Sequence, residues 1–139
     1  MSRTRIETRA RARALQAVYA WDMRTDQQLD RVAAQIWDDL AVSAAERVIA
    51  AKLVRSLIAN GREIDASLVD VTTNWRLERL GAIERSVLRL AAAELTIGET
   101  PPRVVIQEAV KLAERYGSAQ SARFVNGVID ALARGMNKL

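Results

Sequence analysis

Apolar residues recur at intervals of three and four along most of the chain, and sustained alternation is missing. The first spacing gathers side chains on one face of an α-helix; alternation would have marked strands. The opening segment, 4–22, sets Ala14, Leu15, Val18 and Trp21 on one such face. Thr25 followed by Gln28 has the spacing of a capping box and predicts a helix over about 26–41, with Leu29, Val32, Ile36 and Leu40 inward. Ser43 with Glu46 repeats that spacing ahead of Val48, Ile49, Leu53 and Leu57, and Asn60-Gly61 reads as the C-cap of this third helix. A short helix over 62–72 keeps Ile64, Leu68 and Val71 in phase, and Trp75 sits in a break. A long helix is then expected over about 77–97, with Leu80, Ile83, Val87, Leu90 and Leu95 as its spine and Gly98 as its end. Thr100-Pro101-Pro102 is an N-cap followed by proline in the first turn, where the missing N–H costs nothing. That helix runs to Tyr116 and Gly117, and Ser118 starts a last one through about 136. The expectation is an all-α fold of about seven helices forming one domain over 1–139.

Composition supports helices and narrows the chemistry. Alanine (24), arginine (18) and leucine (14) dominate, with only 6 Gly and 2 Pro to interrupt them. Cysteine and histidine are absent, which excludes disulfides, thiol nucleophiles, imidazole bases and metal sites built from either residue. Nucleotide-binding glycine motifs are also missing. Asp22, Asp26 and Asp30 stand at helical spacing and Asp38-Asp39 are adjacent, so a carboxylate pair or metal site is conceivable; solvated faces and caps are the simpler account. No catalytic residue, metal or cofactor is expected, and the chain is read as a non-enzyme.

Charge is concentrated at one end. Five arginines and one glutamate in residues 1–13 account for the whole net charge of +4. Such an arm suits a polyanion. An Arg-rich amphipathic N-terminus also fits a mitochondrial presequence, but the stripe through Trp21 continues without a break, as in a helix that packs in the mature fold. No apolar run is long enough to cross a bilayer, and a cytoplasmic protein without a membrane partner is expected. Arg5, Arg9 and Arg13, spaced four apart, align on one helix face that continues through Gln16 to Tyr19 or Ala20. Arginine offers phosphate a planar fork of donors, and Tyr or Gln can meet an unpaired base. A solvated basic face is the plain alternative.

Four blocks carry a family resemblance. They are Arg9-Ala10-Arg11-Ala12-Arg13-Ala14-Leu15-Gln16-Ala17-Val18-Tyr19; Leu80-Gly81-Ala82-Ile83-Glu84-Arg85-Ser86-Val87-Leu88-Arg89-Leu90 with Glu94-Leu95; Pro102-Arg103-Val104-Val105-Ile106-Gln107-Glu108-Ala109-Val110-Lys111-Leu112-Ala113; and Tyr116-Gly117 with Phe124-Val125-Asn126-Gly127-Val128-Ile129-Asp130. In this order and spacing the chain resembles the NusB family of bacterial transcription antitermination factors. Three positions depart from the family pattern: Gln107 where Asn is usual, Glu114 where Lys is common, and Gln120 where some members are acidic.

The resemblance implies an all-helical RNA-binding fold of two subbundles that performs no chemical step. It implies binding of boxA-type single-stranded RNA together with the ribosomal protein NusE, within an RNA polymerase complex that includes NusA and NusG. On it, Arg5, Arg9, Arg11 and Arg13 take phosphates, with Gln16, Tyr19, Gln120, Arg123 and Phe124 close to RNA. Glu84, Arg85 and Leu88 meet NusE. Phe124 and the Tyr19 ring have a core reading beside this one, and Glu84 has a pairing with its own neighbours. Asn126-Gly127 suggests close helix packing, and Trp37 and Trp75 suggest fillers of helix junctions. Monomer and homodimer are both compatible, and a dimer would cover the arginine helix. A similar domain also forms the N-terminal part of ribosomal RNA cytosine methyltransferases; a stand-alone, non-catalytic domain of that kind is the alternative. A plain interaction protein with a basic arm is a third reading.

Overall fold

A computed structural model of the protein describes residues 3–24, 26–72 and 77–139. Among these, the helical spacing yields α1 (Arg3–Asp22), α2 (Leu29–Asp39), α3 (Ala44–Val71), a 3-10 turn (Leu77–Arg79), α4 (Ala82–Ile97), α5 (Pro102–Tyr116) and α6 (Ala119–Gly135). The all-α expectation holds, and its seven or so helices become six α-helices and the short turn. Helices α1, α2 and α3 pack on one another, as do α4, α5 and α6. Helix α4 joins the two groups, because it also packs against α1 and α3. Its sequence explains the position: Ser86, Val87, Leu88 and every residue from Leu90 to Leu95 are buried, and a helix apolar nearly all round belongs at the centre. Burying one leucine there, such as Leu88, stabilises the fold by about 2 kcal/mol.

The expected ends are partly right. Ser43 Oγ accepts from the Glu46 N–H at 3.3 Å and donates to its carboxylate at 3.1 Å, fixing the start of α3. Gly98, at φ 76°, closes α4 in the left-handed region where glycine is unstrained. Ser118 caps α6 by accepting from the Ser121 N–H at 3.0 Å. The N-cap of α5 is Pro101 rather than Thr100, whose hydroxyl instead donates to Glu94 at 2.8 Å. Thr25 and the Trp75 junction lie outside the described residues, but α2 starts at Leu29 with Gln28 as its N-cap, so the helix begins later than the expected 26 and the Thr25–Gln28 box does not open it.

Several packing expectations are corrected. Asn60-Gly61 kinks α3 instead of ending it. The Asn60 side chain donates to the Ser56 carbonyl at 3.0 Å, while Ile64 and Leu68 keep the helix on the core. The long helix expected from 77 is broken before Ala82, so Leu80 precedes α4. Leu40 and Val48 are exposed, not inward. A Cβ at Gly127 would meet nothing within 4 Å, so that glycine marks no close helix contact. Trp37 does fill its junction: it is buried, and its indole N–H donates to the Arg13 carbonyl at 3.0 Å, tying α2 to α1.

Candidate nucleic-acid interface

Helix α1 divides its arginines among three environments. Ala10, Ala14, Leu15, Ala17 and Val18 are buried, and this sets the rotation of the helix. Arg5 and Arg9 are left on the exposed side. Arg11 turns inward and is only 5% exposed. Its guanidinium donates to Glu94 of α4 at 2.9, 3.2 and 2.7 Å and to Glu108 of α5 at 3.3 Å. Burial disfavours the cation, but the hydrogen bonds to Glu94 and the nearby carboxylates outweigh this and raise the Arg11 pKa. Arg11 therefore clamps three helices and is not available to phosphate, contrary to the sequence expectation.

Arg13 is also displaced from the expected row. It is half-buried, with Nε 3.4 Å from Glu46 of α3 and Nη1 donating to the side-chain oxygen Oε1 of Gln16 at 3.3 Å. The Gln16 amide in turn donates to the Tyr116 hydroxyl at 3.4 Å, across to the end of α5. Tyr19 is 38% exposed, so its side chain is not sunk in the core.

The second cluster lies where α6 begins. Gln120 and Arg123 are exposed, while Phe124 is half-buried against the core. Phe124 and Gln120 line a cavity of about 310 Å³ with Arg79, Leu80 and Glu84. One carboxylate oxygen of Glu84 accepts from the Ser121 hydroxyl at 2.6 Å, which joins α4 to α6. Glu84, expected to meet a partner, thus shares one cavity with Gln120 and Phe124, two of the residues expected near RNA.

The other two expected partner residues face inward. Leu88 has no exposed surface. Arg85 donates to both Asp22 oxygens, at 2.8 and 2.5 Å, and to the carbonyls of Leu80 and Leu77 at 2.7 and 3.3 Å. It fastens the end of α1 to the turn before α4, so its fork is used within the chain. The hydrogen bond from Arg85 is the main reason the Asp22 carboxyl lies below its ordinary range; the charges of Arg85 and Arg89 add to it, against the effect of burial. The same bond raises the Arg85 pKa. Asp22 is therefore an ion-pair acceptor, not the solvated carboxylate expected from its spacing.

Tyr116 and Arg115 were not singled out from sequence. The Arg115 guanidinium lies 5.1 Å from the Tyr116 ring centre, a cation–π distance. No periodicity within α1 points to them. The inward turn of Arg11 did leave a signal: Glu94 follows Ala91, Ala92 and Ala93, and Glu108 shares a helix face with Val105 and Leu112, about one turn to either side. Acids set in apolar stretches need a buried cation.

The matches to known proteins follow the same outline. The NusB family model matches residues 8–134. A transcription antitermination protein NusB from Anaeromyxobacter dehalogenans is 42% identical over 130 residues, covering 93% of this chain and 91% of the relative. The solved structure of T. maritima NusB superposes with a TM-score of 0.85 at 32% identity, over 92% of this chain and 90% of that one. A solved complex of the antitermination factors NusB and NusE with double-stranded RNA contains a chain of TM-score 0.84 and 29% identity, covering 97% of this chain and 99% of that one. With sequence and fold in agreement over nearly the whole length, the chain belongs to the NusB family.

Proposed function

We propose that this protein is a transcription antitermination factor that binds boxA-type single-stranded RNA together with NusE. It acts as one helical domain over 1–139, in the cytoplasm, within an RNA polymerase complex that includes NusA and NusG, and it catalyses no reaction. The observation that carries this reading is the bridge from Gln16 to Tyr116 at 3.4 Å. It sets the exposed stripe of α1, with Arg5, Arg9 and Tyr19, beside the α5–α6 corner from which Gln120, Arg123 and Phe124 follow. Arginines supply phosphate contacts, and Tyr19 and Phe124 supply rings for unpaired bases. Glu84, in the adjoining cavity, supplies an acidic group for the protein partner.

The test is a titration of a short boxA-like RNA with and without NusE. Binding that NusE tightens is expected. Equal affinity for an unrelated single strand, or no binding in either condition, would overturn the reading.

A further inference from the structure

The inward turn of Arg11 and the tethering of Arg13 take two cations out of the expected phosphate row. Helix α5 supplies two others. The Thr8 hydroxyl donates to Glu108 at 2.7 Å, and the Gln16 amide donates to the Tyr116 hydroxyl at 3.4 Å. Each of these pairs is separated by 100 residues in sequence, so α5 runs beside α1 in the same direction and in step with it. On α5, Arg115 stands seven residues after Glu108, about two helical turns, and so returns to nearly the same edge of the helix. Lys111 lies between them on the outer side, and both cations are exposed.

Their surroundings favour an anion between the helices. Glu108 is already engaged by Arg11 and Thr8. Lys111 makes no ion pair among the described residues. Arg115 lies over the Tyr116 ring, and that ring's hydroxyl meets Gln16 of α1, so Arg115 stands beside the point where α5 meets α1. The other acid on this helix, Glu114, is exposed one position before Arg115.

We propose that Lys111 and Arg115 form a second phosphate-binding row, so that RNA is held in the channel between α1 and α5 and not on α1 alone. This rests on the RNA-binding reading above. Thr8 and Gln16 form the polar floor of the channel, with the Arg5 and Arg9 side of α1 along one edge and Lys111 and Arg115 along the other.

The experiment measures the affinity of the full chain for a boxA-like single-stranded RNA across a salt series. The variants are Lys111→Gln/Arg115→Gln, Arg9→Ala, and an Arg31→Gln/Arg55→Gln control on exposed positions of α2 and α3. The α5 pair should weaken binding and flatten the slope of log K against log salt by about 1.4, or 0.7 per phosphate contact. The control should keep the wild-type slope. If Arg9→Ala flattens the slope and the α5 pair leaves it unchanged, the second row is wrong and the RNA-binding reading stands. If the wild-type chain binds no RNA, both fail.

Discussion

Arg11 Nη2 lies 2.7 Å from Glu94 Oε2, with both side chains more than nine-tenths buried. Arg9, two residues earlier and so about 200° round the helix, is exposed. The two arginines should respond oppositely to removal. Arg11→Ala leaves Glu94 and Glu108 buried without their cation and should cost about 3–5 kcal/mol of stability. Arg9→Ala should change stability by no more than about 0.5 kcal/mol, while lowering RNA affinity and the salt slope by about 0.7. Chemical denaturation and RNA titration of the two variants check this, and equal stability losses would refute it.

Tyr19→Ala should show the remaining signature. Loss of one stacked base should cost about 1–3 kcal/mol of RNA affinity with little change in salt slope. A flattened slope would mean that Tyr19 acts by positioning a phosphate contact instead.

Asp22 sets an acid limit on stability. In the unfolded chain its carboxyl titrates near pH 4. In the fold, Arg85 holds it below its ordinary value. The unfolded state therefore binds more protons in that window, so the contribution is complete above about pH 4 and is lost as pH falls through the folded value. Asp22→Asn should destabilise at neutral pH by about 3 kcal/mol and weaken the acid dependence. Urea denaturation from neutral pH down to about pH 2 reads both effects.

Glu84 joins a structural role to a proposed partner role. Glu84→Lys removes the acceptor of the Ser121 hydroxyl and should lower stability by about 1.5–3 kcal/mol. It should also weaken NusE binding by about 1–3 kcal/mol through lost pairing and new repulsion. Ser121→Ala separates the two, because it removes the hydrogen bond and keeps the charge. If Ser121→Ala weakens NusE binding as much as Glu84→Lys does, the effect is structural and the partner contact is not supported.

Ser86 has no exposed surface, and its hydroxyl meets no hydrogen-bond partner among the described residues. An unpaired buried hydroxyl costs about 1–3 kcal/mol. Alanine retains the Cβ and favours the helix. Ser86→Ala should therefore raise the melting temperature, and a clear fall would show that the hydroxyl is satisfied in solution.

The helices themselves were legible in sequence because each carries its own evidence. Ser43 with Glu46, Gly98 and Ser118 mark ends through bonds or dihedrals a few residues away, and the apolar spacing fixes which side is buried. The exposure of Arg5 and Arg9 and the central place of α4 follow from that spacing. The roles of Arg11, Arg13, Arg85 and Leu88 did not follow. A four-residue rhythm places Arg5, Arg9 and Arg13 together, but Glu46 draws Arg13 to another helix, and Glu94 and Glu108 neutralise Arg11 from 83 and 97 residues away. Local sequence can put a charge on one side of a helix. Whether that charge meets solvent, RNA or a buried carboxylate depends on which distant helix packs there, and only the tertiary structure decides it.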